Sequence, residues 1–348
     1  MTSEERYIES FSEQALKQGL SQELVDTSLQ YRKKIVDVGC AVIYDQKHFA
    51  DLVGYDYYYI LALTSNPEKN YKEYIIPKKR GGTRTLEEPL PDLKDIQSWI
   101  LNNILEPASK TMVSPVAKAF MPKKSIRDNA RFHKKQNRVV AMDVENFFGS
   151  IQYGCIYEVF RTIGYTEAVS TLLTKLCTYN NYLPQGAPTS PMLSNLVMKR
   201  IDDRLWSYCK DRKIIYTRYA DDLTFSGDSI QVGHLMAYVE QALMHRYLHL
   251  NHRKTKVMGR GTRQSVTGIV VNEKVQVSRA YRDKIRQEIY YCIKYGIDSH
   301  MQQCSDKPLW IKSTSQYVRH LLGKVEFVLQ INPHDKKFIQ YAQWLKSY

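Results

Sequence analysis

Tyr219-Ala220-Asp221-Asp222 interrupts two runs of β-branched and aromatic residues, at positions 214–216 before it and 223–225 after it. Strand-forming runs on both sides of a short polar break predict a β-hairpin with the two carboxylates at its tip. Adjacent aspartates at a tight bend repel each other, and a divalent cation relieves that repulsion because hard cations such as Mg²⁺ prefer carboxylate oxygens. The stretch therefore predicts a metal-binding hairpin.

A third carboxylate, Asp143, ends another strand-like run at positions 139–142. Three carboxylates at the ends of neighbouring strands can hold two metal ions for nucleotidyl transfer. We therefore take Asp143, Asp221 and Asp222 as the candidate catalytic and metal-binding residues. The expected cofactor is a pair of Mg²⁺ ions, for which Mn²⁺ could substitute. The alternative is that Asp221 and Asp222 are ordinary turn residues.

The composition indicates a polyanionic partner. The chain has 348 residues, of which 43% are hydrophobic, with a net charge of +14 and 26 tyrosines. Such a chain can bury a substantial core in two or three subdomains. Positive charge attracts phosphates and aromatic faces stack on unpaired bases, so nucleic acid is the expected partner. A merely soluble basic protein is the alternative.

Several features predict a cytoplasmic protein. The six cysteines are scattered without a C-x-x-C pair, which argues against a zinc site or a disulfide framework and fits a reducing compartment. No apolar stretch approaches the roughly 20 residues that a membrane span needs, so no membrane partner is expected. The acidic, polar start Met1-Thr2-Ser3-Glu4-Glu5 is unlike a secretory leader.

Periodicity predicts an α+β chain with helical ends. Residues 3–64 are expected to be mostly helical, and residues 74–86 to form two strands joined by a basic loop that contains Gly81 and Gly82. Three amphipathic stripes after Ser278 predict a helical C-terminal section. The polar region 298–308 within it is expected to be a flexible linker.

Four segments, in the expected order, resemble the motifs of the reverse transcriptase family. They are Asp143 followed by Phe148, the loop that begins Gln185-Gly186 and ends Ser190-Pro191, the Tyr219-Ala220-Asp221-Asp222 box, and Asn251-x-x-Lys254-Thr255. The resemblance implies an α+β right-hand polymerase with fingers, a palm whose antiparallel sheet packs on helices, and a helical thumb.

The resemblance also implies domain boundaries. They are an N-terminal helical section at 1–65 that packs on the fingers, fingers at 66–138 and 152–192, a palm at 139–151 and 193–262, and a thumb with RNA-binding helices at 263–348.

Five residues resemble those that contact the incoming deoxynucleoside triphosphate. Lys78 and Arg84 resemble the cations of the fingers that hold its phosphates, and Phe148 the aromatic that guards the sugar 2′ position. Gln185 lies in the nucleotide- and template-positioning loop, and Lys254 resembles a lysine near the triphosphate.

Simpler interpretations of these residues stay open. The alternatives for Lys78 are that Lys79 has this role or that Lys78 lies in a solvated basic turn. Phe147 could be the gate while Phe148 packs in the core, and Gln185 could only pack on its loop. Lys254 could donate a proton to pyrophosphate or only contact a phosphate.

Two signatures narrow the resemblance to the retron reverse transcriptases of bacteria. Asn129-Ala130-Arg131-Phe132-His133 matches their Asn-Ala-x-x-His signature, and Val266-Thr267-Gly268 matches their Val-Thr-Gly signature. The resemblance implies that Asn129 and His133 recognise the retron's own RNA, and that Val266, Thr267 and Gly268 help to grip primer or RNA. The alternatives are a helix-surface or core pair on one helical face that satisfies local backbone groups, and a plain strand and turn.

Basic residues after position 280, among them Arg282 and Arg286, are expected to follow RNA phosphates, with a solvated helix face as the alternative.

Membership of the retron family would imply specific partners. They are a cognate structured non-coding RNA that serves in part as template, dNTPs, and the DNA product. Synthesis would start from the 2′-hydroxyl of an internal guanosine and give branched RNA–DNA (msDNA). The resemblance further implies anti-phage defence with an effector protein from the same operon. The alternatives are a group II intron-like or diversity-generating reverse transcriptase, and a non-catalytic RNA-binding scaffold.

Overall fold

The computed structural model describes residues 3–78, 81–304 and 307–348. The chain folds into two compact units. The first comprises the chain up to Met121 together with Val144–Trp206 and Ala237–Leu250, and the second comprises Pro122–Asp143, Ser207–Met236 and Asn251–Tyr348. The boundaries expected for fingers, palm and thumb divide the chain more finely and stay predictions.

Many helices begin at a polar residue whose side chain accepts a hydrogen bond from the first turn, which leaves fewer backbone N–H groups unpaired. These caps are Ser21, Asp45, Asp56, Ser125, Thr166, Ser278, Ser313 and Asp335. The helices are α1 (Ser3–Lys17), α2 (Gln22–Asp37), α3 (Gln46–Val53), α4 (Tyr57–Ser65), α5 (Pro91–Ile100), α6 (Glu106–Met112), α7 (Ile126–Ala130), α8 (Phe147–Ser150), α9 (Tyr153–Ile163), α10 (Glu167–Cys177), α11 (Ser190–Asp211), α12 (Val232–Met244), α13 (Arg279–Tyr295), α14 (Ile297–Gln303), α15 (Thr314–Ile331) and α16 (Lys336–Lys346).

The strands form two separate hairpins and a four-stranded antiparallel sheet. They are β1 (Tyr71–Pro77), β2 (Thr83–Pro89), β3 (Arg138–Asp143), β4 (Ile215–Tyr219), β5 (Asp222–Gly227), β6 (Lys256–Gly259), β7 (Ser265–Val266) and β8 (Ile269–Val270). β1 pairs with β2 and β7 with β8, while the larger sheet has the order β4-β5-β3-β6 and belongs to the second unit.

The β4–β5 hairpin confirms the two strands predicted around the acidic break. Tyr219 pairs with Asp222, so Ala220 and Asp221 alone form the turn. On one face of the hairpin, the rings of Tyr216 and Phe225 stack with their centroids 4.8 Å apart. Aromatic cross-strand pairs of this kind stabilise a hairpin and define its register.

In the first unit, α1 to α4 confirm the helical start of the chain, and β1 and β2 confirm the two predicted strands. Their connecting loop contains Gly81 and Gly82, whose φ angles are 88° and 79°. A side chain disfavours this left-handed backbone conformation, which explains glycine at both positions.

In the second unit, a hydrophobic core unites the C-terminal helices with β7 and β8. It includes Ile285 and Ile289 of α13 and Leu321 and Val325 of α15, as the predicted stripes require. The expectation of a flexible linker at 298–308 is wrong for its first part. Helix α14 lies there because the buried side chain of Ile297 anchors it to this core.

These elements confirm the predicted α+β class. Among the residues that the structure describes, no helix is both long enough and apolar enough to cross a membrane.

Candidate active site

Asp143 and Asp222 lie directly opposite each other on neighbouring strands of the four-stranded sheet. Asp143 ends β3, Asp222 begins β5, and the two are paired in register. Opposed residues of an antiparallel pair present their side chains to the same face, with Cβ atoms about 4.5–5.5 Å apart. Asp221 precedes Asp222 in the turn of the hairpin. The fold therefore brings together the three carboxylates that the sequence predicts.

These carboxylates create a region of negative potential. Burial, then the charge of Asp221 and then that of Asp143 raise the pKa of Asp222 to about 6, while Lys254 and Lys256 oppose the shift. Since both neighbouring carboxylates contribute to this pKa, both lie within range of a direct charge interaction with Asp222. A cation at this position would be attracted by all three groups.

One cationic side chain lies against this group. Lys254 Nζ is 2.7 Å from Asp143 Oδ1, and the lysine side chain is 58% exposed while that of Asp143 is 13% exposed. A short 3₁₀ turn, His252–Lys254, carries the lysine, and the backbone N–H of Asn251 donates to the Asp143 carbonyl at 2.8 Å. Lys254 therefore neutralises part of the charge of the carboxylates.

The donor types at this site fit a divalent metal ion, since carboxylate oxygens are the ligands that hard cations prefer. The raised pKa of Asp222 shows that its ionised form lacks sufficient compensating charge. Within the described residues, no three His, Cys, Asp or Glu side chains form a ready-made metal cage. In this conformation Oδ1 of Asp143 binds the Lys254 ammonium group, so coordination of a metal ion by that oxygen would displace the lysine.

A buried arginine, which sequence reasoning missed, supports the turn between β4 and β5. Ala220 has a φ of 55°, a conformation that costs free energy for any residue with a Cβ atom. Arg218 is fully buried, and its Nη1 donates to the Ala220 carbonyl at 3.1 Å. The side chain thereby holds the strained residue next to Asp221.

The predicted triphosphate contacts Lys78 and Arg84 lie on the β1–β2 hairpin of the first unit. Arg84 is exposed on β2 opposite Ile76, and Lys78 is exposed just after β1. Both side chains are accessible, as a phosphate contact requires. Lys79 lies outside the described residues, so the choice between Lys78 and Lys79 stays open.

The two aromatic residues of α8 differ in accessibility. Phe147 is only 4% exposed, whereas Phe148 is half-buried. The ring of Phe148 lies 5.4 Å from that of Phe147 and 6.3 Å from that of Phe120. Phe148 is therefore the more accessible of the two candidate gates, and its role stays a prediction.

The loop that carries Gln185 is attached to β2 through Glu87, another residue that sequence reasoning missed. Glu87 Oε2 accepts from the backbone N–H of Gln185 at 2.9 Å, and Glu87 Oε1 accepts from the Tyr182 hydroxyl at 2.7 Å. Gly186, at a φ of 140°, packs so closely that a Cβ atom there would lie 2.7 Å from the Glu87 carbonyl oxygen. These contacts account for the position of the loop.

The structure corrects the expectation that Asn129 and His133 recognise RNA directly. Both side chains are completely buried. His133 contacts the hydroxyl groups of Thr217 and Ser226, and Asn129 Oδ1 accepts from Thr217 Oγ1 at 2.6 Å. The alternative of a core pair agrees with this burial, but the partners are side-chain hydroxyl groups of β4 and β5 and not local backbone groups.

The Val-Thr-Gly signature forms the turn between β7 and β8. Thr267 and Gly268 have φ angles of 46° and 86°, and positive values at both central positions suit the right-handed twist of a two-residue hairpin. Val266 is completely buried, which contradicts a direct contact of its side chain with RNA. Gly268 is exposed. Thr267 Oγ1 is buried and finds no hydrogen-bond partner in the described part of the chain.

Arg282 and Arg286 lie on α13 in the second unit. Arg282 lines an open groove of about 620 Å³ together with three further cations, Arg263, Lys274 and Arg279, and two carboxylates, Glu273 and Asp283. Arg286 is 32% exposed and pairs with Asp283 at 2.7 Å, so part of its charge is already neutralised. Arg282 is therefore the stronger candidate for a phosphate contact.

Comparison with known proteins finds similar sequences among reverse transcriptases. Residues 76–284 match the family described as reverse transcriptase (RNA-dependent DNA polymerase). The Retron Ec86 reverse transcriptase of Escherichia coli is 34% identical over 282 residues, which cover 80% of this chain and 82% of that protein. The Retron Mx65 reverse transcriptase of Myxococcus xanthus is 31% identical over 286 residues, which cover 77% of this chain and 62% of that protein.

Among solved structures, a foamy viral protease-reverse transcriptase in complex with double-stranded DNA aligns with a TM-score of 0.46 and 14% identity, covering 80% of this chain and 38% of that one. A score at this level carries no argument by itself.

Proposed function

This chain belongs to the reverse transcriptase family and, within it, to the retron reverse transcriptases, and we propose that it copies a cognate RNA into DNA at Asp143, Asp221 and Asp222. It is an RNA-directed DNA polymerase, and the right-hand polymerase class expected from the sequence is thereby confirmed. The observation that carries the assignment of the site is the register of the sheet, which places Asp143 opposite Asp222.

The three carboxylates would hold divalent metal ions, and we take these to be two Mg²⁺. When bound, such ions lower the pKa of the attacking primer hydroxyl and neutralise charge on the triphosphate. Asp143 and Asp222 would contribute oxygens from opposed strands, and Asp221 from the turn between β4 and β5. The fixed sheet register keeps these oxygens together during the reaction.

Lys254 would act as a temporary counter-ion. Its ammonium group holds Asp143 at 2.7 Å in this structure. If a metal ion were held by Asp143 Oδ1, the exposed side chain of Lys254 would be available to contact a phosphate of the nucleotide. Such an exchange is compatible both with the ion pair between Lys254 and Asp143 and with the triphosphate contact expected for Lys254.

Further contacts with the nucleotide would come from Lys78, Arg84, Phe148 and the loop of Gln185. The exposed Arg84 and Lys78 supply positive charge for the phosphates, and a guanidinium group can bind two phosphate oxygens at once. Phe148 would exclude a ribose 2′-hydroxyl, and the loop of Gln185 would position the nucleotide against the template. The attachment of that loop to Glu87 supports such a positioning role.

The proposal includes retron-type priming, because the relatives of this chain are retron reverse transcriptases. The chain would bind a structured non-coding RNA, start at the 2′-hydroxyl of an internal guanosine and produce branched RNA–DNA. The net charge of +14 and the basic groove at Arg282 support binding of RNA phosphates. A role in anti-phage defence, an effector protein as partner and a cytoplasmic location complete the proposal.

Nucleic acid recovered with the expressed protein tests this function. We expect DNA joined to RNA through a 2′ linkage, which alkaline or ribonuclease treatment would reduce to DNA carrying a short RNA remnant. Asp221→Asn should yield bound RNA without DNA, while the exposed Asp211→Asn should yield the same product as the wild type. Branched DNA from the Asp221→Asn protein would contradict the site, and unbranched DNA from the wild type would contradict the priming mode.

A further inference from the structure

The sheet face that carries the carboxylates is arranged in rows. Each row contains one residue from each of β3, β5 and β4, in that order. The first row is Asp143, Asp222 and Tyr219. The second is Ala141, Thr224 and Thr217, and the third is Val139, Ser226 and Ile215. Successive rows are two residues apart along each strand, which corresponds to about 7 Å. Any group that binds the second and third rows therefore lies just behind the aspartates.

His133 binds both of these rows. Its Nε2 is 2.7 Å from Thr217 Oγ1 on β4, and its Nδ1 is 2.7 Å from Ser226 Oγ on β5. Thr217 donates its only hydroxyl proton to Asn129 Oδ1 at 2.6 Å. The His133 Nε2–H must therefore donate to Thr217, and in a neutral ring Nδ1 accepts the proton of Ser226. One imidazole thus links the two strands of the catalytic hairpin.

A polar link at this depth favours a single arrangement of the strands. The exposed fraction is at most 2% for each of the four residues Asn129, His133, Thr217 and Ser226. Burying a polar group without a hydrogen bond costs free energy, so a shift of either strand that left these hydroxyl or imidazole groups unpaired would be unfavourable. Apolar packing would tolerate such a shift more easily.

We propose that His133, Thr217 and Ser226, with Asn129 as the acceptor for Thr217, are positioning residues for the polymerase site. They hold β4 and β5 so that Asp221 and Asp222 meet Asp143. The catalytic consequence rests on the proposed function of the three aspartates, whereas the restraint on the hairpin is a property of the fold. The Asn-Ala-x-x-His signature therefore acts within the protein and not as a surface for RNA.

Thr217→Val and Ser226→Ala test the restraint with minimal loss of volume, since His133→Ala could prevent folding. Thr174→Val is the matched control, because Thr174 is also completely buried and its hydroxyl donates to the Ser170 carbonyl within α10 of the first unit. Backbone hydrogen exchange of residues 219–223 should accelerate about tenfold or more in the two test variants and stay unchanged in the control.

Activity gives the second readout. The Mg²⁺ concentration for half-maximal DNA synthesis should rise at least about threefold in both test variants, equally on cognate RNA and on a generic primer-template, with RNA affinity unchanged. Unchanged hairpin exchange, or a defect confined to cognate RNA with weakened RNA binding, would overturn the proposal. The exchange measurement needs no catalysis. Activity retained by Asp222→Asn would therefore refute the proposed function while leaving the restraint testable.

Discussion

Asp222 begins β5, directly after Asp221 of the turn and opposite Asp143 on β3. Burial and these two charges raise its pKa to about 6. An unfolded aspartate has a pKa of about 3.9, so the folded protein binds this proton more tightly. The resulting stability is present below about pH 4 and is lost as the pH rises through about 6.

Asp222→Asn should therefore stabilise the metal-free protein near neutral pH, because the amide removes the repulsion while keeping the shape of the side chain. We expect a melting temperature a few degrees above that of the wild type in EDTA. This advantage should shrink as the pH falls from about 7 towards about 4, where the wild-type carboxyl becomes protonated. A variant that melts below the wild type throughout this range would contradict the electrostatic description.

Phe148→Ala should weaken discrimination against ribonucleotides, because removal of the half-buried ring opens space where a 2′-hydroxyl would be excluded. The ratio of kcat/KM for dNTP to that for the matching rNTP should fall about tenfold or more. Phe148→Tyr keeps the ring and should retain most of the discrimination. An unchanged ratio in Phe148→Ala would remove the gate role from this residue.

Residue type and spacing were sufficient to predict the carboxylates, since adjacent aspartates between strand-forming runs have few other uses. The same reasoning left the role of His133 open, because a signature does not show whether a side chain faces solvent or the interior. The polar residues Thr217 and Ser226 within apolar strands were the available signal. The sequence contains no comparable signal for Arg218 and Glu87, because their roles depend on which backbone atoms lie near them in the fold.

At the scale of elements, the structure adds attachments between segments that the sequence predicts separately. The β4–β5 and β1–β2 hairpins follow from alternating strand formers and turn residues, and both occur where expected. The Gln185 loop docks onto β2 through contacts between residues that are far apart in the sequence. Helix α14 was missed for a related reason, since one buried residue, Ile297, outweighs the polarity of its segment.

Gly186→Ala should separate the Gln185 loop from β2, since the new Cβ atom would lie 2.7 Å from the Glu87 carbonyl oxygen at a φ of 140°. We expect a loss of about 1–3 kcal/mol in the free energy of unfolding and a higher KM for dNTP. Gly154→Ala is the matched control, because no atom lies within 4 Å of its Cβ position in α9.

The control variant should be neutral or slightly more stable, by about 0.5–1 kcal/mol, as expected for alanine in a helix. Chemical denaturation and dNTP titration measure both effects. Equal stability of the two variants would contradict the close approach of the loop to β2.

At the scale of the whole molecule, charge links the fold to its partner. The net charge of +14 and the groove lined by Arg282 predict RNA binding that depends strongly on salt. Each phosphate contact contributes a slope of about −0.7 to −0.9 in a plot of log affinity against log salt concentration. Arg282→Gln should therefore make the slope shallower by about one unit.

Lys17→Gln provides the control for this measurement, because the Lys17 side chain is 77% exposed on α1 and pairs with Glu13. Its slope should equal that of the wild type. Identical slopes for wild type and Arg282→Gln would place the RNA contacts outside the groove.

The class of the molecule was predictable because four motifs in order resemble one family, and residues 76–284 match that family. The division into two compact units was not predictable, since each unit combines three separate parts of the chain. Such combinations follow from packing between distant segments, which local periodicity does not encode.

Single-nucleotide addition on a preassembled RNA template–primer complex, measured by rapid quench in Mg²⁺, tests the role of the three carboxylates most directly. Asp143→Asn and Asp222→Asn should each lower the rate constant by about 10³-fold or more while template affinity stays within about twofold. Asp211→Asn should retain the wild-type rate. Wild-type rate constants in both active-site variants would contradict catalysis by these aspartates.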